Sequence, residues 1–91
     1  MARKNLTNEL LGVLIRAQRV DSITLCYSET NHDWWLFVSH SDPELAVDLS
    51  TERGAQRRFK TADTALHLLH RLGYQGTLKM DYLSDAEVAA A

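Results

Sequence analysis

Residues 21–40 read DSITLCYSETNHDWWLFVSH, and the way this stretch folds decides the architecture. Ile23, Leu25 and Tyr27 alternate with Ser22, Thr24, Cys26 and Ser28, the period of a strand with one buried side. Thr30 to Asp33 then supply turn chemistry. The run that follows is apolar on both sides, with Trp35 and Phe37 opposing Trp34, Leu36 and Val38. Such a strand belongs in the centre of a sheet, with cover on each face.

Adjacent strand residues point to opposite faces, so the two indoles cannot share one core. One is expected under the helices, and the other needs a helix, a dimer mate or another protein. Tryptophan is enriched among interface hot spots, and an uncovered Trp34–Leu36–Val38 stripe would be an exposed apolar patch. These three residues are therefore the expected apolar contact with a partner. Leu11 and Ile15 of the preceding helix are expected to join them.

That helix is read from Leu6, Leu10, Val13, Leu14, Ala17 and Val20, which recur at three- and four-residue spacing. Asn5 or Thr7 is the expected cap, and Glu9 suits the positive first turn. Leu11 and Ile15 lie beside the main stripe and widen it. Beyond the hairpin, Ser41 to Pro43 break the chain, and Leu45, Val47 and Leu49 alternate as a third strand. Arg53-Gly54 reads as a tight turn into a short fourth strand ending at Phe59. A second helix has Thr61 as N-cap, Asp63 in its first turn, Ala62, Ala65, Leu66, Leu69 and Leu72 on its buried face, and Gly73 at its C-terminal stop. The last strand, TLKMDYL, directs Leu78, Met80 and Tyr82 to one side.

The expected fold is α+β: an N-terminal helix, an antiparallel meander of three to four strands, a second helix and a final strand. One compact domain spans residues 1–83, and residues 84–91 read as a frayed tail. Ninety-one residues hold one core, and a chain of this size buries only about 60% of the surface its unfolded form exposes. Association with a second copy is the natural supplement, so a homodimer is expected.

Composition narrows the function classes. At 45% apolar and 24% charged residues the chain is globular. A single cysteine, Cys26, excludes an internal disulfide and a zinc site of several thiolates, and fits a reducing cytoplasm. The apolar stretch near the start is interrupted by Glu9, Gly12, Arg16, Gln18 and Arg19, unlike a signal peptide, and no apolar run is long enough to span a bilayer. His67 and His70 sit three apart on the second helix, yet no third ligand lies near them in sequence, so no metal is expected. Cys26 reads as a packed strand residue. The serines have no nucleophile-elbow context and no glycine-rich loop awaits a phosphate. No catalytic residues and no cofactor are expected.

Charge is the informative feature. From Asp21 to Glu52 there are seven acids and no lysine or arginine; from Arg53 to Lys60 there are Arg53, Arg57, Arg58 and Lys60 and no acid. The net charge of −2 conceals this polarity. Two readings compete. Arg53, Arg57, Arg58, Lys60 and Arg71 would serve either as the charged rim of a protein contact or as a phosphate-neutralising surface for nucleic acid.

The stretch RGAQRRFKTADTALHLLHRLGY resembles small accessory proteins of plasmids and integrative conjugative elements, some of them ParC-like and partition-associated. The shared features are an Arg-Gly turn, a basic strand, Phe59-Lys60-Thr61, and an Ala/Leu helix ending in glycine and an aromatic; RVDSITLCY is similar in style. The resemblance covers residues 19–82. It implies a non-enzymatic bacterial protein that helps maintain mobile DNA through partner proteins of a partition or conjugation system, and it carries over no catalytic residues.

Overall fold

A computed structural model describes residues 3–81, and the expected tail at 84–91 and Tyr82 lie outside them. The chain runs β1 (Lys4–Leu6), α1 (Asn8–Arg16), β2 (Val20–Ser28), β3 (Asp33–His40), β4 (Leu45–Leu49), α2 (Ala62–Arg71) and β5 (Thr77–Asp81). The α+β class holds, with two helices on a five-stranded sheet of order β1-β4-β3-β2-β5.

Local signals explain most of these elements. Thr7 caps α1, its hydroxyl accepting the Leu10 N–H at 3.3 Å, and Thr61 caps α2 in the same way through Thr64 N–H. Both helices stop in a Schellman motif. In α2 the amides of Gly73 and Tyr74 donate to the carbonyls of His70 and Leu69, with Gly73 at φ 83°. In α1 Gln18 takes the equivalent left-handed position at φ 56°, where it and Arg19 donate to Ile15 and Leu14. The β2–β3 hairpin pairs Ile23 with Val38, Leu25 with Leu36, and Tyr27 with Trp34.

The expected strand arrangement is corrected at two places. First, Leu6 closes a three-residue strand instead of opening a helix, and β1 pairs parallel with β4, Lys4 opposite Leu45 and Leu6 opposite Leu49. Second, residues 53–59 form no ladder strand. They make two isolated bridges, Gln56 to Ser50 and Phe59 to Trp34. The last strand, for which the sequence suggested no neighbour, pairs parallel with β2, Ile23 opposite Leu78 and Leu25 opposite Met80, so the sheet is mixed.

Topology then settles where the helices go. β1, β4, β2 and β5 all run one way and β3 runs the other. The connections β1–α1–β2 and β4–α2–β5 are both parallel crossovers moving in the same direction across the sheet. Right-handed crossovers place both helices on one face. The core agrees: Leu11 and Leu14 of α1 and Ala65, Leu68 and Leu69 of α2 pack with Ile23, Leu25, Trp34, Leu36, Val38, Leu45, Leu49 and Phe59. The helices lie side by side, Gly12 being close enough to Leu72 that an added methyl would stand 3.5 Å from its Cδ2.

The expected uncovered tryptophan stripe is also corrected. Trp34, Leu36 and Val38 point to the helix side and are 8%, 0% and 0% exposed. Trp35, on the opposite face, is only 7% exposed, although neither described helix lies on that side. It lies directly across from Cys26, two residues along β3 from Asp33, which pairs with Arg58 at 2.8 Å. Both indoles are therefore sheltered inside one subunit.

Candidate functional site

The residues expected to form an apolar contact are mostly interior. Trp34, Leu36, Val38 and Leu11 belong to the core. Ile15 is half-buried and lines a cleft of about 240 Å³ with Gln18, Val20, Gly73, Tyr74, Gln75 and Gly76. Four of the five are enclosed in the core, and Ile15 keeps part of its surface in that cleft.

The basic run is divided between the two sides of the sheet. Arg58 turns to the open face and pairs with Asp33, the one ion pair within 4 Å among the described residues. Arg57 turns the other way, its guanidinium 5.9 Å from the centre of the Phe59 ring. There it lines a groove of about 310 Å³ with Phe59, Thr64, His67, Leu68 and Arg71. Arg53 and Lys60 are exposed in the flanking turns. Thus Arg57 and Arg71 of the five expected cations share one concavity, and His67 joins them.

The remaining reactive groups are placed for structure. His40 uses both ring nitrogens on backbone, Nε2 with Ala46 O at 2.9 Å and Nδ1 accepting Asp42 N–H at 3.1 Å. No group of three or more His, Cys, Asp or Glu side chains converges on a metal position among the described residues. Cys26 is 3% exposed. Burial pushes its thiol from 9.0 up to about 11, with the Asp81 carboxylate on the neighbouring strand adding to the rise. At neutral pH it is a protonated, packed residue.

The surface that composition and spacing did not single out is β5. It is one of the two ends of the sheet, and all five of its residues are exposed. Its entry is well defined: Tyr74 donates its hydroxyl to the Thr77 carbonyl, and a methyl on Gly76 would stand 2.7 Å from that hydroxyl. Leu78 and Met80 share the helix side with Ile23 and Leu25 through the strand register. They lie beyond the helices' cover, 39% and 50% exposed, while their neighbours on β2 are 0%. Lys79 and Asp81 share the open side, beside Thr24 and Cys26. The period-two pattern of TLKMDYL announces the strand; its place at an edge is a property of the whole topology.

No protein-family model, curated protein or solved structure matches the chain. Function therefore rests on the chemistry of these two surfaces. No helix among the described residues is long and apolar enough to cross a membrane.

Proposed function

We propose that the protein is a non-enzymatic, cytoplasmic protein-interaction module whose docking element is the β5 edge. The observation that carries this reading is the juxtaposition of an exposed strand edge with Leu78 and Met80. An edge strand presents unpaired backbone donors and acceptors, and an added strand satisfies them while side chains at alternate positions supply specificity. The two apolar side chains continue the core's own face outward, so a partner strand there extends the buried layer. A role in plasmid or mobile-element maintenance, alongside partition or conjugation proteins, is the biological setting suggested by the resemblance of residues 53–74.

A photo-crosslinking residue in place of Met80, compared with one in place of exposed Asp63 on α2, tests the reading in cells. Protein adducts from position 80 that are absent from position 63 are expected. Equal capture at both positions, or none at 80, contradicts it.

The groove of Arg57, His67 and Arg71 favours a second reading, a small nucleic-acid-binding protein. Affinity of this kind is carried by phosphate neutralisation and falls steeply with salt. The division of Arg57 from Arg58 across the sheet leaves a short basic surface, which ranks this reading second. Failure to shift duplex DNA at low salt and micromolar protein would remove it.

A further inference from the structure

The occupant of the β5 edge is identified by its own charge pattern. We infer that β5 pairs antiparallel with β5 of a second copy, in one register centred on Met80. The inference rests on the docking role proposed for this edge and adds the partner and the pairing.

A twofold axis perpendicular to the sheet makes the two β5 strands antiparallel neighbours and keeps helix face beside helix face. Directly opposed residues then share a face, their Cβ atoms about 5 Å apart. Centring the axis on Met80 puts Met80 against its own copy on the helix side, where a flexible thioether adapts to a symmetric contact. On the open side it puts Lys79 against Asp81 of the second copy and Asp81 against its Lys79, two opposite-charge pairs per dimer. Each neighbouring register loses both opposite-charge pairs. Centring on Lys79 opposes two lysines, and centring on Asp81 opposes two aspartates. A half-step between Lys79 and Met80 sets Leu78 against Asp81 and mixes the two faces. The charges flanking Met80 thus select one alignment out of several.

The other end of the sheet has no such pattern. β1 has three residues, its register against β4 is irregular, and Leu6 is fully buried. The turn at 51–55 lies against it, with Asn5 Nδ2 donating to Glu52 O at 3.3 Å. A dimer through β5 therefore closes after two copies, joining two five-stranded sheets into one. In this register residues 79–81 of each β5 oppose one another, a small interface of the weak, reversible class.

Sedimentation equilibrium at protein concentrations up to about 1 mM, a range covering micromolar to millimolar affinities, tests the inference with complementary charge variants. Lys79 and Asp81 are exposed, so Lys79→Asp and Asp81→Lys keep the fold, which circular dichroism verifies. Each variant alone turns both pairs repulsive and is expected to weaken the dimer by about tenfold or more. In an equimolar mixture, the strand acidic at both positions in Lys79→Asp meets the strand basic at both positions in Asp81→Lys. Both opposite-charge pairs then re-form, and association returns to within a few fold of native. The double variant Lys79→Asp/Asp81→Lys recovers by itself. Native dimers indifferent to both substitutions, or variants that stay apart when mixed, overturn the register. A monomeric native protein whose position-80 cross-linker captures a different protein removes the second copy and leaves the docking reading standing. Absence of any position-80 adduct removes both.

Discussion

The two ends of this sheet face the same physical problem and answer it differently. β1 is three residues long, buries Leu6 completely, and is overlaid by a turn whose Glu52 carbonyl accepts the Asn5 side chain. Its inner side is closed by Lys4 N–H to Glu44 O at 2.7 Å and by Ser50 N–H to Leu6 O at 2.8 Å. β5 is five residues long, exposed throughout, and carries its two apolar side chains past the shelter of the helices. An edge that is short, irregular and covered resists pairing; one that is long, regular and apolar on one side invites it. The same fold therefore contains one closed edge and one open edge.

The contrast breaks most visibly under truncation. Leu6→Ala removes a fully enclosed side chain and is expected to cost about 2–5 kcal/mol, the range for core leucines. Met80→Ala, at an exposed edge position, is expected to change monomer stability by about 0.5 kcal/mol or less. Urea titration at low micromolar protein reads both. Comparable losses at the two sites would erase the distinction between the edges.

The next test is electrostatic. Cys26 lies on β2 across from Asp81 of β5, and its folded thiol is raised to about 11. A group whose folded pKa is raised stabilises the fold below the unfolded value and loses that contribution as pH climbs through the folded one. Stability is thus expected to fall by about 2 kcal/mol between roughly pH 9 and pH 11, and Cys26→Ala is expected to flatten that fall. Asp81→Asn removes the carboxylate's share and lowers the thiol's titration midpoint, which the ultraviolet absorbance of the thiolate follows. A midpoint unchanged by Asp81→Asn would separate Cys26 from β5.

Much of the fold is legible in the sequence because its signals are local. Thr61, Asp63 and Gly73 mark both ends of α2, Thr7 and Glu9 mark the start of α1, and the alternation in residues 22–28 marks β2. What escapes depends on distant pairing. Lys4–Leu6 meets residues 45–49 in parallel, and nothing in three residues distinguishes that strand from the first turn of a helix. The basic run at 53–59 has the composition of a strand but forms no ladder, making only two isolated bridges, at Ser50 and Trp34. External cover for the second indole is expected only if a helix is the sole internal shelter. Two same-sided crossovers leave Trp35 without α1 or α2 above it, yet it is only 7% exposed within one subunit. Of the candidate site, the alternation in TLKMDYL reveals Leu78 and Met80 on one side of a strand. That the strand is an end of the sheet follows only from the order of all five.

A smaller effect comes from the helix exits, where α1 and α2 use the same motif with different residues. Gln18 holds a left-handed conformation at φ 56°, where Gly73 sits at φ 83° on the other helix. Gln18→Gly is expected to stabilise by up to about 1 kcal/mol by relieving the Cβ contact, while Gly73→Ala destabilises by a similar amount. Thermal denaturation resolves both; a loss of stability in Gln18→Gly would contradict the motif. Smaller still is Asp33→Asn, which breaks a partly exposed ion pair and is expected to cost below about 1 kcal/mol, diminishing further in high salt.

The central claim is that the β5 edge is a binding surface and the β1 edge is not. Residue-resolved amide hydrogen exchange at rising protein concentration tests it most directly. Protection of the amides at Leu78 to Asp81 is expected to increase with concentration while that of Asn5 and Leu6 stays constant. Exchange along β5 that is indifferent to concentration up to about 1 mM, with no partner protein adding protection, would contradict it.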